Sequence, residues 1–233
     1  MPENAPRPHA LLMSEITTDG KLTLKRGASS KILTAHMDRA AQMLLHRTRA
    51  ECDAIMVGSN TVRIDNPFLT VRMVAGRSPL RVIPNGMADI PADSHVLGGD
   101  VPTVLAVAAA APAERLDALR RRGVGVVVAG AEHVDLPLLM QRLWQDFGVR
   151  RLMVEGGPTL AWHLFLHRLL DEIRLIHLPL IVGGADTPSL VGGIAAAGEN
   201  DMIRLVLKNH YLSGANLVTE HDVHYADGVD GGA

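Results

Sequence analysis

Between residues 103 and 177 the chain alternates short apolar runs with longer stretches of helical period, and few folds accept that alternation. Strands buried on both faces read as unbroken Val, Ile, Leu and Ala, as at 103–108, 124–129, 151–155 and 173–177. Between them, 113–122, 136–147 and 159–169 carry their apolar residues at helical spacing. Strands and helices in strict alternation imply a parallel sheet joined by right-handed crossovers. Upstream, 10–16, 54–57 and 80–83 read as further strands. A polar loop at 25–31 precedes a helix over 34–49, with Met37, Ala41, Leu44, Leu45 and Thr48 on one face. Downstream, the Gly/Ala-rich stretch 183–200 reads as an irregular loop. Residues 203–211 and 216–221 flank LSGA as an antiparallel hairpin. The fold class is α/β, with a mostly parallel central sheet flanked by helices and a C-terminal antiparallel hairpin. Residues 1–8 form a proline-rich arm, 9–225 a single domain and 226–233 a flexible tail, with no internal repeat.

Composition narrows the function. Aromatic residues make up 3% and the net charge is −2, so there is neither a base-stacking platform nor a basic stripe for nucleic acid. The run Arg120 to Arg122 reads as a solvated helix C-terminus complementing the helix dipole. Cys52 is the only cysteine, which excludes an intrachain disulfide and a thiolate zinc cluster. His163 and His167 stand four apart but lack the glutamate of HExxH, and no metal is assigned. No apolar run reaches the roughly 18 residues that span a bilayer, and the N-terminus lacks the order of a signal peptide. The expected compartment is the cytoplasm, with no membrane partner.

Two polar constellations follow strands. After 54–57 come Gly58, Ser59, Asn60 and Thr61, then Asp65, Asn66 and Pro67. Ligands of open α/β sheets bind beyond the carboxyl ends of strands, so this crowd of polar groups marks a small-molecule site. An Asx-turn, with Asp65 and Asn66 bonding their own backbone before Pro67, explains the same residues without a ligand. In RRLMVEGGPTLAWHLFL, Glu155 ends a strand, Gly156 and Gly157 follow, and Pro158 opens a helix. Glycines let a ligand approach the backbone, and free N–H groups at a helix start attract phosphate. A tight strand-to-helix turn is the alternative. Glu155 favours the site, because a carboxylate at the mouth of a sheet needs a partner or a task.

Four motifs then carry a resemblance: TTDGKL at 17–22, HRTRAECDAIMVGSNTVRIDNPFLTVR at 46–72, VEGG at 154–157 and PLIVGG at 179–184. In this order they resemble the pyrimidine reductases of riboflavin biosynthesis, a branch of the dihydrofolate-reductase-like fold, over nearly the whole chain. The resemblance implies reduction of a ribosylaminopyrimidine 5′-phosphate by NADPH, with NADH possible, hydride reaching C1′ of the ring-opened imine. It implies that Thr61, Asp65, Leu69, Arg72, Ser30, Lys31 and Glu155 contact substrate, Arg72 gripping the phosphate with its guanidinium fork. Gly58, Ser59, Asn60 and Thr61 would lie against the nicotinamide ribose. Gly156, Gly157 and Thr159 would cradle the pyrophosphate, and Thr18 and Asp19 would border the cofactor. Asp65 and Glu155 are the candidates to protonate the imine nitrogen.

Three positions depart from the family pattern. Met13 stands where fused bacterial members carry lysine, Asn66 replaces the second aspartate of DDP, and Asp89 stands where many relatives have arginine. Arg81 or Ser78 would then have to favour the 2′-phosphate of NADPH. The fused members' zinc deaminase has no counterpart here, with one cysteine. The resemblance also implies a homodimer, its contact supplied by the Gly/Ala loop or the hairpin. Two other functions fit the same residues: a reductase of a pterin-like substrate, or a non-catalytic nucleotide-binding paralogue.

Overall fold

The computed structural model describes residues 5–194, 198 and 202–225. One nine-stranded sheet forms its centre. Its strands are β1 (His9–Thr17), β2 (Ala54–Met56), β3 (Leu80–Pro84), β4 (Thr103–Val107), β5 (Gly125–Val128), β6 (Arg151–Val154), β7 (Glu172–Leu178), β8 (Arg204–Ser213) and β9 (Asn216–His224). In space they run β5-β4-β3-β2-β6-β1-β7-β9-β8. The first seven pair in parallel, and β9 joins β7 and β8 antiparallel. The helices are α1 (Lys31–Thr34), α2 (Arg39–Ala50), α3 (Ser59–Asp65), α4 (Ala113–Arg121), α5 (Leu136–Phe147) and α6 (Pro158–Leu166).

Alternation along the strands builds two faces, which is why the central strands read as unbroken apolar runs. Ala54, Met56, Leu152 and Val154 pack on one face with Leu139, Met140 and Leu143 of α5 and Leu160 and Leu164 of α6. On the other, Ile55, Val57, Ile83 and Leu105 meet Val62 of α3 and Leu116 and Leu119 of α4. Met13, Met153 and Ile176 continue that layer under Leu33 of α1 and Ala41 and Leu45 of α2. Cys52 lies in this last cluster, and burial pushes its thiol up to about 11, as for an inert apolar side chain.

Strand order places the site. The chain leaves β1, forms β2 to β5 on one side, and returns to insert β6 between β2 and β1. The carboxyl ends of β1, β6 and β2 therefore meet where the direction of winding changes, the position that binds ligands in open α/β sheets.

Several boundaries differ from those expected. The helix foreseen over 34–49 is two pieces, because Asp38 adopts an extended backbone and caps α2, accepting from the Ala41 N–H at 2.8 Å. The polar stretch after β2 is helical: α3 buries only Val62, too little to show as a period. It stops at Asn66, whose left-handed backbone (φ 40°) asparagine tolerates better than most residues, just before Pro67. The helix foreseen to residue 169 ends at Leu166, with Arg168 left-handed (φ 54°). The hairpin is longer than foreseen, turning through Gly214 and Ala215. The Gly/Ala stretch is irregular through 194, and its remainder, like the arm at 1–4 and the tail at 226–233, lies outside the described residues.

Candidate active site

At the end of β6, Glu155 does not stand alone. Arg49 of α2 donates to both of its oxygens, Nε to Oε1 at 2.5 Å and Nη2 to Oε2 at 2.6 Å. Each side chain is 9% exposed, so this is a desolvated, two-pronged ion pair. A third guanidinium nitrogen donates to the Thr70 carbonyl at 3.0 Å. One turn earlier, His46 Nδ1 accepts from the Arg72 N–H at 3.1 Å. Burial, then Arg49 and Arg72, hold the His46 imidazole down to about 4, so it accepts as the neutral ring. Through these two contacts α2 staples the 66–72 segment and presents the exposed Arg72 beside Glu155. The Arg72 guanidinium is 5.7 Å from the centre of the Phe68 ring and donates to Thr70 Oγ1 at 2.7 Å.

A second cluster faces it across the mouth. Asp65, at the end of α3, accepts from Ser29 Oγ (2.5 Å), the Ser30 N–H (3.2 Å) and Ser30 Oγ (3.1 Å). It thereby ties the loop before α1 to α3. Asn66 accepts from the His95 N–H at 2.8 Å. Neither side chain closes the local Asx-turn that would explain this stretch; each instead bonds to a residue distant in sequence. Thr34 of α1 donates to Glu15 Oε1 of β1 at 2.6 Å. Glu15 shares the sheet face of Met13 and Glu155, since Leu12 pairs with Val154 in the parallel register. Burial raises the Glu15 carboxyl above the ordinary carboxylate range; Thr34 and, more weakly, Arg49 pull it back, and the Glu155 charge raises it.

Beside these groups is a glycine-lined hollow. Gly58 after β2 donates its N–H to the Gly156 carbonyl, and Thr61 Oγ1 would lie 3.5 Å from a Cβ on Gly157. Gly156 (φ 115°) and Gly157 (φ 92°) hold conformations that side chains resist, and a Cβ on Gly156 would enter open space. Pro158 then starts α6, whose first N–H groups have no partner within the helix. Unpartnered helix-start amides, an open glycine and the hydroxyls of Ser59, Thr61 and Thr159 fit a dinucleotide.

The remaining expected residues fall into place differently. Asp19 accepts from Thr17 Oγ1 (2.5 Å), Gly183 (2.6 Å) and Val182 (3.2 Å), which hold its carboxyl down to about 2. It clamps the PLIVGG loop to the end of β1. Thr18 does the same from its side, its N–H donating to the Leu180 carbonyl at 2.9 Å, while its Oγ1 donates to the Leu178 carbonyl at the end of β7 at 3.1 Å. Leu69 is buried in the core under α3, with a left-handed backbone (φ 53°), and its side chain supports the segment from below. Lys31 is exposed at the first turn of α1. Arg81 cannot serve a ribose phosphate: it is 3% exposed and donates to the carbonyls of His95, Gly98 and Val101. Ser78 accepts from the Val71 N–H at 3.0 Å. Asp89 instead pairs with Arg63 of α3 at 2.5 Å, and Arg63 also donates to Ser59 Oγ and Asn60 Oδ1.

Sequence reasoning missed Glu15, Arg49, His46 and Arg63. A glutamate inside LLMSEI, and His46 and Arg49 three apart beside the apolar stripe of a helix, were the available signals. Among the described residues, no group of three or more His, Cys, Asp or Glu is placed to hold a metal, and no helix is long and apolar enough to cross a membrane.

The comparisons with known proteins converge on one family. Residues 8–219 match the RibD C-terminal domain model. The chain is 46% identical over 218 residues to the 2,5-diamino-6-ribosylamino-4(3H)-pyrimidinone 5′-phosphate reductase of Aquifex aeolicus, covering 93% of this chain and 97% of that protein. It is 43% identical to the protein of the same name from Methanothermobacter thermautotrophicus, covering 93% and 99%. A pyrimidine reductase-like protein from Corynebacterium diphtheriae shares the fold, with a TM-score of 0.75 at 21% identity over 93% of this chain and 92% of that one. The dihydrofolate-reductase-like architecture expected from the motifs is thus the one observed, and the chain belongs to the RibD C-terminal domain family.

Proposed function

We propose that this protein is an NADPH-dependent reductase that converts a ribosylaminopyrimidine 5′-phosphate to its ribitylamino form in riboflavin biosynthesis. One observation carries the reading: the glycine-lined cradle at Gly58, Gly156 and Gly157 adjoins a wall of Glu155, Arg49 and Arg72 at the switch point of the sheet. Similarity to proteins named as such reductases, nearly end to end, supports it. The bound cofactor supplies the hydride, and the chain's own groups do the rest. Arg72 offers a fork to the substrate phosphate, Glu155 is fixed by Arg49 to accept from the pyrimidine or ribose, and Asp65 and Ser30 border the sugar. Thr61, Ser59, Asn60 and Thr159 line the cofactor side.

Arg63 supports NADPH over NADH as the preferred donor, since it sets a cation beside Ser59 and Asn60 where a 2′-phosphate could reach it. Arg63→Ala is expected to raise KM for NADPH by roughly 10-fold and leave that for NADH nearly unchanged, the scale of one lost charged contact. Equal changes for both would remove Arg63 from cofactor selection. The compartment consistent with this reading is the cytoplasm, and the assembly is a homodimer.

The test is loss of reduced-nicotinamide absorbance with the diamino and the deaminated ribosylaminopyrimidine phosphates. Turnover of either, abolished by Asp65→Asn or Glu155→Gln, is the expected result. Turnover of a reduced pterin alone would replace the substrate. Tight cofactor binding without any oxidation would leave a non-catalytic paralogue.

A further inference from the structure

We propose that Glu15 is the general acid of this site, giving the substrate's imine nitrogen its proton. The proposal rests on the reductase reading and adds a residue to it.

Three carboxyl groups reach the mouth, and their hydrogen bonds separate them. Both oxygens of Glu155 accept from Arg49, and both oxygens of Asp65 accept from Ser29 or Ser30. The Arg49 nitrogens only donate; Asp65 is held by the Ser30 N–H as well as by two serine hydroxyls, and among the described residues neither hydroxyl has a second acceptor to turn to, so each of these carboxylates is set as an acceptor. Glu15 differs. Its side-chain partner is a hydroxyl, Thr34 Oγ1 at 2.6 Å, which works in either direction. Thr34 also has a second acceptor, the Ser30 carbonyl at 3.3 Å. With Glu15 protonated, Glu15 donates to Thr34 and Thr34 donates to Ser30. With Glu15 ionised, Thr34 turns and donates to Glu15. The site thus accommodates both states of one carboxyl without rearranging its backbone.

The surroundings shift Glu15 toward its protonated state. The charged groups facing Glu15 are Glu155 from β6 and Arg49 from α2, and each satisfies the other. Its neighbour across β7 is the apolar Ile176. Glu15 is half-buried, and its carboxyl is held above the usual range chiefly by that burial.

In the step, the Glu15 O–H bond breaks and an N–H bond forms at the imine nitrogen, while the carbon–nitrogen double bond becomes single. A bound reduced nicotinamide would give its C4 hydride, with both electrons, to C1′ to form the new C–H bond, and Glu15 gives the proton. The resulting carboxylate takes the Thr34 hydroxyl and regains its proton from water.

Glu15→Gln keeps the shape and removes the acid. The expected result is a kcat at least about 100-fold lower, the lower range for a lost general acid, with cofactor and substrate affinities unchanged. The wild type is expected to lose kcat on the alkaline side as Glu15 ionises, and the variant should lack that fall. An independent readout needs no turnover: carbon-13 NMR of glutamate side chains in the cofactor-free protein should show one carboxyl titrating well above the rest, absent in Glu15→Gln. This measurement on the wild type decides the matter even if the variant folds poorly. A folded Glu15→Gln with wild-type kcat and pH profile would overturn the proposal, as would a Glu15 signal titrating with the other carboxylates. Wild-type protein inactive on both pyrimidines would instead overturn the reductase reading, and the proposal with it.

Discussion

The Glu155–Arg49 pair is the residue-scale hinge between stability and chemistry. A buried ion pair gains little over well-packed apolar residues, but removing one partner leaves a desolvated charge, at a cost of about 3–5 kcal/mol. Arg49→Met should therefore lower unfolding free energy by that order in denaturant titration. Adding Glu155→Leu should restore most of the loss while leaving no reductase activity. If the double variant stays as unstable as the single one, Arg49 acts through packing and the Thr70 carbonyl instead. His46 gives the site a pH dependence of its own. Its imidazole, 4% exposed, is held down to about 4 in the fold. Between that value and the ordinary one near 6.5, the unfolded chain binds the proton and the fold does not. Stability contributed by neutral His46 is complete above pH ~6.5 and is lost as pH falls toward about 4, a change on the order of 1–3 kcal/mol. In His46→Gln, denaturation midpoints measured across this range should lose that slope. Asp65 and Glu155 could be picked out from the sequence because they stand beside turn residues at strand ends. Glu15 and Arg49 could not, since nothing local says that a glutamate in β1 and an arginine in α2 converge on one carboxylate 106 residues further along from Arg49.

Elements were readable in proportion to the apolar surface they bury. Strands β4, β5 and β6 and helices α4 and α5 stand within a residue or two of their expected bounds, because buried parallel strands and amphipathic helices carry strong patterns. Helix α5 also carries its own signals, Asp135 as cap, Pro137 in the first turn and a left-handed Gly148 at the end. Helices α1 and α3 are held by what they touch: Asp65 bonds to Ser29 and Ser30, and one buried valine anchors α3. Short elements of this kind follow tertiary contacts that single-sequence patterns do not contain. The turn between β6 and α6 was readable as a cradle because two successive glycines there have few other uses. It also makes a test. Gly156→Ala puts a methyl group into the open hollow and forces φ near 115° on a residue with a side chain. A stability loss of about 1–3 kcal/mol is expected from the strain. Cofactor KM should rise at least 10-fold, with a smaller change in kcat, because the methyl excludes the dinucleotide from a backbone it must touch. Unchanged cofactor affinity in a folded variant would move the dinucleotide away from this turn.

At the scale of the whole molecule, the two edges of the sheet are finished differently. Strand β5 ends the parallel side, flanked by α4 and α5. Strand β8 ends the other, and eight of its ten residues are exposed, on both faces. Leu205 and Leu207 lie on one face and Val206 on the other, and Leu212 near the turn is 71% exposed. Antiparallel edges that end in water usually bury one face and place charge on the other, because a bare apolar edge recruits further strands. Contiguous apolar exposure of this kind marks a surface that another chain covers. The proposed homodimer would place a second copy there: β8 and β9 would offer their own apolar side chains and main-chain groups to a twofold partner, as a C2 interface requires of a single patch. Sedimentation of the wild type should give twice the chain mass. Leu207→Glu combined with Leu212→Glu puts two carboxylates into that contact without touching the core, and should give the mass of one chain with an unchanged circular dichroism spectrum. A wild type that sediments as one chain at micromolar concentration would refute the homodimer outright. A double variant that remains paired would move the interface off the hairpin, toward the irregular stretch after Gly183 that runs past the start of α6, where Gly192 donates to the Pro158 carbonyl at 3.0 Å.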